Sequence, residues 1–220
     1  FLHSGGDKVT LTTPTNNPST NPIFKLPQTD GSSNQALVTD GSGALSFAVP
    51  LTYTEYSTQT MSGANSYAIT ISGDPKVFEV SLFEVQHATA QNIMYRLSNS
   101  GGETTSGYYD VSTYHQAGGS DSCSRGSAQG QGCLVNYDFN GADNLITGKA
   151  IFTKVNTGLY TFSAIYNMRF ATGSNDQYIL TSSGHLNNNQ NSGSTVTQFR
   201  IFTSGGQNFT SGTVNVRGIS

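Results

Sequence analysis

The residue types best suited to binding chemistry cluster in one short segment, GYYDVSTYH at positions 107–115. Tyrosine rings can stack on the faces of sugars, and carboxylate and amide groups can accept hydrogen bonds from sugar hydroxyls. Tyr108, Tyr109, Asp110, Tyr114 and His115 therefore form a candidate ligand-binding set, which we expect on a loop. The alternative is that Tyr108 and one neighbour pack in the core or between subunits, while the rest form a solvated loop.

Residues that could catalyse a reaction are sparse. Hydrolysis of a polysaccharide needs two carboxylates about 5–10 Å apart. Glu79 and Glu84 are near in sequence, but their opposite parity predicts different faces of a regular strand. Glu103, Asp110 and Asp121 could approach one another in the Gly-rich middle of the chain. No nucleophile motif is present, so the sequence predicts no catalytic residue, and a polysaccharide depolymerase remains an alternative.

Metal and cofactor chemistry is not predicted either. The histidines at positions 3, 87, 115 and 185 lack the spacing of metal ligands, so we expect no metal and no cofactor. Cys123 and Cys133 flank a Gly-, Ser- and Gln-rich stretch. A disulfide between them would close a small surface loop and contribute about 2.5–3 kcal/mol. Two reduced thiols are the alternative.

The composition restricts the classes of partner. Only 10% of the 220 residues are charged, and the net charge is −3, whereas charged residues make up about 25% of an ordinary globular chain. The 10 Lys and Arg residues are scattered and form no basic stripe, so nucleic acid is not an expected partner. No apolar run approaches the roughly 18 residues of a membrane span, so we expect no membrane insertion. The surface instead offers hydroxyls, amides and aromatic rings.

From about residue 51 the apolar residues recur at every second position. This period is typical of β-strands, so β-strands must position the candidate residues of positions 108–115. Phe78, Val80 and Leu82 alternate with polar residues, and one side of residues 160–170 is apolar throughout. The alternation slips at Phe83 and Val85, which indicates a bulge or a strand buried on both sides. No window has a helical period. The pattern predicts an all-β protein whose residues 51–220 form an antiparallel two-sheet β-sandwich, jelly-roll-like in connectivity.

One stretch of this sandwich has the clearest turn signals. Residues 133–139, 150–152 and 160–170 predict three consecutive strands of a meander, with its first turn at Asn140-Gly141. The second turn is expected at Asn156-Thr157-Gly158.

Residues 1–50 differ from the rest of the chain. They carry five of the six prolines, which predicts an extended N-terminal arm and connector. Two Asp-Gly turn signals, at positions 30 and 40, flank the apolar residues 36–38, and a second apolar group follows at 45–47. We expect a small hairpin-like clip that must lie against another surface, because two short strands alone are marginally stable.

Two segments resemble viral fibre proteins. Residues 26–47, LPQTDGSSNQALVTDGSGALSF, resemble the LPxxDGxxGQVLxTDGxGxLSW element of phage and algal-virus tail-fibre proteins, with Phe47 in place of Trp. Residues 101–108, GGETTSGY, are similar to the GGxxTSGY signature of a phage-associated β-sandwich, which typically closes with strands like residues 197–201 and 211–216. The resemblance implies a virion structural protein, the distal part of a tail fibre that meets the host surface, commonly trimeric and without a reaction.

These observations lead to one expected function and set of partners. We expect a non-enzymatic tail-fibre subunit on the virion surface that attaches to a host-surface glycan or protein. Its other partners would be further copies of itself, as a homotrimer, and other virion structural proteins through residues 1–50. Few lysines protect the strand edges, which also favours association of identical subunits. The alternative is a capsid decoration protein, of the cement or head-fibre kind, whose arm lies across neighbouring capsid subunits.

Overall fold

The computed structural model describes residues 25–42, 44–50, 53–89, 91–116, 122–136, 144–156, 159–170, 177–186 and 195–219. The chain divides into two compact units, Phe1–Leu51 and Thr52–Ser220, and each is described by itself. All regular secondary structure in the described residues is β-strand. No helix that could cross a membrane occurs in that part of the chain.

The first unit contains the short strands β1 (Ala36–Thr39) and β2 (Leu45–Ala48). The strands of the second unit are, in chain order, β3 (Tyr53–Thr60), β4 (Ser66–Thr70), β5 (Val77–His87), β6 (Ile93–Asn99), β7 (Gly102–Glu103), β8 (Tyr108–Gln116), β9 (Ser122–Gln129), β10 (Gly132–Val135), β11 (Asn144–Asn156), β12 (Leu159–Phe170), β13 (Gln177–Leu186), β14 (Val196–Thr203) and β15 (Phe209–Ile219).

Two antiparallel sheets make up the second unit. The large sheet has eight strands in the order β3-β15-β5-β11-β12-β13-β8-β9. The small sheet has the order β10-β6-β14-β4, with β7 paired to β6. The first strand of the unit, β3, pairs with its last strand, β15, so that Tyr53 lies opposite Ile219.

The core lies between the two sheets and is built largely of aromatic rings. Phe152 on β11 stacks on Phe78 of β5, with 4.5 Å between ring centroids. From the small sheet, Tyr95 approaches Phe152 to 5.1 Å and Phe199 approaches Phe78 to 6.1 Å. Each of these side chains is buried, because alternate residues of every strand face inward. The predicted all-β antiparallel sandwich is therefore confirmed.

The connectivity differs in part from the expected one. Strands β11 and β12 form the predicted antiparallel hairpin, but the third strand of the meander is β13. Residues 132–135 pair with β6 in the small sheet instead. The turn predicted at Asn140-Gly141 lies outside the described residues. The jelly-roll-like connectivity is not confirmed, since eight strands share one sheet and three of them form a meander.

The first unit contains the expected hairpin. Strands β1 and β2 pair antiparallel, and the Asp40 side-chain oxygen Oδ1 accepts hydrogen bonds from the backbone N–H groups of Ser42 and Ala44. This side-chain cap and the positive φ of Gly41, 81°, turn the chain back. The Phe47 ring lies so close to Gly31 that a Cβ atom there would be 2.6 Å from it. Residues 1–24, nearly half of the expected extended arm, lie outside the described residues.

Candidate binding site on the outer face of the large sheet

The five candidate residues from sequence lie on a strand and not on the expected loop. Strand β8 pairs with β13 on one side and β9 on the other. Successive side chains of a strand point to opposite faces. Tyr108 and Asp110 therefore face the core, whereas Tyr109 and His115 face outward. The expectation of a loop was wrong. The Gly- and Ser-rich flanks are typical of loops, but the segment between them is a strand that pairs with a neighbour on each edge.

Tyr108 connects the two sheets. Its hydroxyl accepts a hydrogen bond from the N–H of Leu97 at 2.9 Å and lies 3.2 Å from the Thr104 carbonyl, to which it donates. Its ring meets Tyr95 edge to face, with centroids 5.5 Å apart. Burial raises the pKa of the Tyr108 hydroxyl well above its ordinary value. With no exposed surface, the ring cannot stack on a sugar in this structure, and Tyr108 belongs to the core.

Asp110 is also turned inward. Burial raises the pKa of its carboxyl group, and a hydrogen bond from the backbone N–H of Cys133 offsets part of this rise. Cys133 lies on β10, so this contact, like those of Tyr108, joins the two sheets. Asp110 is therefore not exposed to an external ligand.

The other three candidates have different surroundings. Tyr114 is half-buried and packs against the core, where its ring meets that of Tyr178 at 6.3 Å. On the outer face, the Tyr109 ring stacks on His185 with a centroid distance of 5.0 Å. His115 is exposed and lies opposite Ile179 in the β8–β13 ladder. Only Tyr109 and His115 of the predicted set therefore face outward.

A β-bulge interrupts β5 where the apolar alternation slips. Ile146 of β11 pairs with Val85, but Gly148 pairs with Leu82, so two residues of β5 oppose Thr147 alone. These two residues, Phe83 and Glu84, are both exposed on the outer face. Glu84 has φ 48°, which is rare for a residue with a side chain. Its backbone N–H donates to the Thr147 hydroxyl at 3.0 Å.

The neighbouring strand makes room for this bulge. A Cβ atom on Gly212 of β15 would lie 2.5 Å from the Cα atom of Val85, and Gly212 has φ 107°. The β15–β5 ladder shifts register at this glycine, between Ser211 and Thr213, and also just before it, between Phe209 and Ser211. The bulge therefore needs a glycine on the adjacent strand.

The prediction that Glu79 and Glu84 lie on different faces of the strand was wrong. The bulge adds one residue between them, so both carboxylates face outward. Glu79 is enclosed by two cations: Lys149 Nζ lies 3.1 Å and Arg217 Nη2 2.7 Å from its oxygens. Burial would raise the pKa of Glu79, but hydrogen bonds from Lys149, Arg217 and Ser81 outweigh it and lower the pKa. The extra residue leaves four strand steps between the two glutamates, which is about 13 Å along β5.

An open cleft of about 370 Å³ adjoins the bulge. It crosses strands β5, β11, β12 and β13, because the antiparallel register sets Thr147 beside Asn167, and Asn167 beside Ile179. Its walls combine hydrogen-bond donors and acceptors with apolar surface. The outward-facing residues that matter here are Glu84, Thr147, Asn167, Arg169 and Ile179.

Among the described residues that line the cleft, the two charged groups, Glu84 and Arg169, are not paired with each other. Among the described residues, neither the Glu84 carboxylate nor the Arg169 guanidinium has a salt bridge or a side-chain hydrogen bond. Both side chains are exposed. The break in the apolar alternation at Phe83 is the sequence signal for the Glu84 side of the cleft. The residues of β12, Asn167 and Arg169, join the cleft through the strand order, for which the sequence carries no local signal.

Two further predictions concern sulfur and metal. Cys133 is buried in the small sheet, with its Sγ atom 4.0 Å from the Ile93 carbonyl, and Cys123 pairs with Thr113 at the edge of the large sheet. The Cys123 side chain lies outside the described residues, so the disulfide stays a prediction. No group of three His, Cys, Asp or Glu side chains suited to a metal ion occurs in the described ranges.

Comparison with known proteins identifies no family for this chain. The function must therefore be inferred from the described residues themselves. No protein-family model matches the chain, and no curated protein or solved structure matches it either.

Proposed function

We propose that this chain is a non-enzymatic virion structural protein, a tail-fibre subunit whose β-sandwich unit attaches to a glycan or protein of the host surface. The observation that supports this best is the open outer face of the large sheet. There, exposed apolar side chains such as Phe83, Ile165 and Ile179 lie among hydroxyl and amide groups. Such a surface offers stacking and hydrogen bonds with few fixed charges.

The arrangement of carboxylates favours adhesion over hydrolysis. Glu84 is the only carboxylate among the described residues that line the cleft. Glu79, on the same face, is about 13 Å away along the strand and is held by Lys149 and Arg217. A pair of catalytic carboxylates would have to lie about 5–10 Å apart.

The first unit is proposed to assemble the subunits into a homotrimer on the virion surface. This unit has only two short strands. They cannot cover its large apolar side chains, five of which are 36–76% exposed. An isolated hairpin of this kind is marginally stable, and exposed apolar patches mark interaction sites. We propose that copies of the unit cover one another and that residues 1–50 also contact other virion structural proteins. These side chains are Leu26, Leu37, Val38, Phe47 and Val49.

Trimerisation would present three attachment surfaces together. Weak individual contacts then combine into strong attachment when all three surfaces can engage at once.

A retention assay tests the proposed function. The full chain, incubated with immobilised microbial surface polysaccharides, should be retained without releasing reducing ends. Release of reducing ends would support the depolymerase alternative, and failure to bind any host-surface preparation would contradict attachment.

Location on the particle is tested separately. Antibodies against residues 60–220 should label fibre tips of the virions in immunogold electron microscopy. Label distributed over the capsid would contradict the fibre assignment and support the decoration protein.

A further inference from the structure

We propose that the cleft beside the β5 bulge binds a neutral, hydroxyl-rich sugar ring, with Glu84 as its hydrogen-bond acceptor and Arg169 as its donor. This inference rests on the proposed attachment function, because it names the class of ligand that the outer face would take.

The charges of the cleft favour a neutral ligand. Glu84 and Arg169 carry opposite formal charges that cancel, and neither is paired within the part of the chain that the structure describes. A ligand with one net charge would be attracted by one of these groups and repelled by the other. A sugar hydroxyl suits both, since it donates to a carboxylate and accepts from a guanidinium.

The remaining polar groups fit the same chemistry. The Thr147 hydroxyl oxygen already accepts a hydrogen bond from the backbone N–H of Glu84. The hydroxyl can therefore still donate its own hydrogen to a ligand. Asn167 lies directly opposite Thr147 and offers an amide that both donates and accepts. The cleft therefore presents two groups of fixed hydrogen-bonding role and two adaptable ones, which suits a polyol.

The spacing fits a ring-sized ligand. Glu84 on β5 and Arg169 on β12 lie two inter-strand spacings apart, about 10 Å, which leaves room for one sugar ring between their side chains. Arg169 lies two residues along β12 from Asn167, on the same face of the sheet. Ile179, and Phe83 beside the cleft, offer apolar surface on which the C–H face of a sugar can lie.

The bulge explains why Glu84 lies here. In a regular strand, the residue after the outward-facing Phe83 would turn into the core. The extra residue turns Glu84 outward as well, at the cost of a left-handed backbone conformation. Bulges that redirect a side chain in this way are common beside functional sites.

Titration of the ¹⁵N-labelled full chain with neutral methyl hexopyranosides (glucoside, mannoside and galactoside) tests this assignment by NMR. At least one of them should shift the amide resonances of Glu84, Thr147 and Asn167. Glu84→Gln and Arg169→Gln should each weaken that binding about tenfold, because each removes a charge-assisted hydrogen bond.

Glu55→Gln is the matched control. Glu55 lies opposite Arg217 on the outer side of the same sheet, and its carboxylate bonds to Thr58 and Asn215. This variant should bind the sugar as the wild type does. The assignment is overturned if no neutral hexoside shifts the cleft resonances, if methyl glucuronide binds more tightly than every neutral hexoside, or if Glu84→Gln binds like the wild type.

The same variants separate this inference from the proposed function. If the wild type and Glu84→Gln are retained equally on host-surface polysaccharide, the cleft assignment fails and attachment stands. If the wild type is retained on no host-surface preparation, whether polysaccharide or protein, attachment itself fails.

Discussion

Tyr108 and Tyr109 are adjacent tyrosines with opposite environments, so substituting each one tests which face of β8 its side chain occupies. Tyr108→Phe removes the acceptor of the Leu97 N–H and leaves that buried donor unpaired. We expect a loss of about 1–3 kcal/mol in the free energy of unfolding, measured by urea denaturation. Tyr109→Phe, on the outer face, should change it by less than about 0.5 kcal/mol. Equal effects would contradict the assignment of the two faces.

Asp110 should make stability depend on pH. Its folded-state pKa lies above the ordinary value of 3.8, so the folded protein holds the proton more tightly than the unfolded chain. The stabilisation by the protonated group is complete below pH 3.8 and is lost as the pH rises through the raised pKa. Asp110→Asn cannot ionise and still offers an acceptor to Cys133.

The pH series has a defined sign. The free energy of unfolding of Asp110→Asn minus that of the wild type should increase from about pH 4 upward and then level off. Chemical denaturation at a series of pH values measures this difference. A difference that falls with pH would show that Asp110 is stabilised as the anion.

The sequence alone predicted the candidate residues less well than the strands. The types in YYDVSTYH suggested binding, but alternate positions of β8 face opposite sides of the sheet, so two of them became core residues. The cleft could not be predicted in full, because Glu84 and Arg169 are brought together by the β5–β11–β12 order. Pairing between strands distant in sequence leaves no local signal in a single chain.

At the scale of elements, the aromatic core between the sheets should dominate stability. Phe152 is fully buried; it stacks on Phe78 of the neighbouring strand and contacts Tyr95 and Phe199 across the sandwich. Phe152→Ala should reduce the free energy of unfolding by about 3–5 kcal/mol. Phe83→Ala is the matched control, because Phe83 is 60% exposed, and it should cost less than about 1 kcal/mol in the same denaturation experiment.

The β5 bulge predicts a conflict between stability and binding. Glu84 holds a positive φ that glycine adopts without strain, so Glu84→Gly should raise the free energy of unfolding by about 1 kcal/mol. The same change should reduce hexoside binding in the NMR titration. A destabilised variant would indicate that the Glu84 side chain supports the fold instead of the ligand.

Strands with local signals were predicted correctly, and those defined by distant pairing were not. The apolar side of residues 160–170 and the slip at Phe83 correspond to β12 and the bulge. The strand at 132–135 was assigned to the wrong sheet, because alternation predicts a strand without naming its partner.

At the scale of the whole molecule, oligomer formation should depend on the first unit. A trimer of 23.3 kDa subunits would have a mass of roughly 70 kDa in light scattering. Leu37→Ser combined with Val49→Ser should shift it toward the monomer, since both side chains are more than half exposed. Val155→Ser is the control in the second unit, because Val155 is 61% exposed and Val49 64%. A trimer that survives the double variant would contradict this interface.

The pairing of β3 with β15 has a consequence for how the sandwich can be rebuilt. Tyr53 and Ile219 are directly opposed at the end of one ladder, where Cα atoms lie about 5 Å apart. A few glycines could join these positions and close the backbone into a ring, which could then be cut at a surface loop elsewhere. Such a circularly permuted polypeptide would keep every strand neighbour in both sheets, and its new ends could carry a label on whichever side of the sandwich an assay requires.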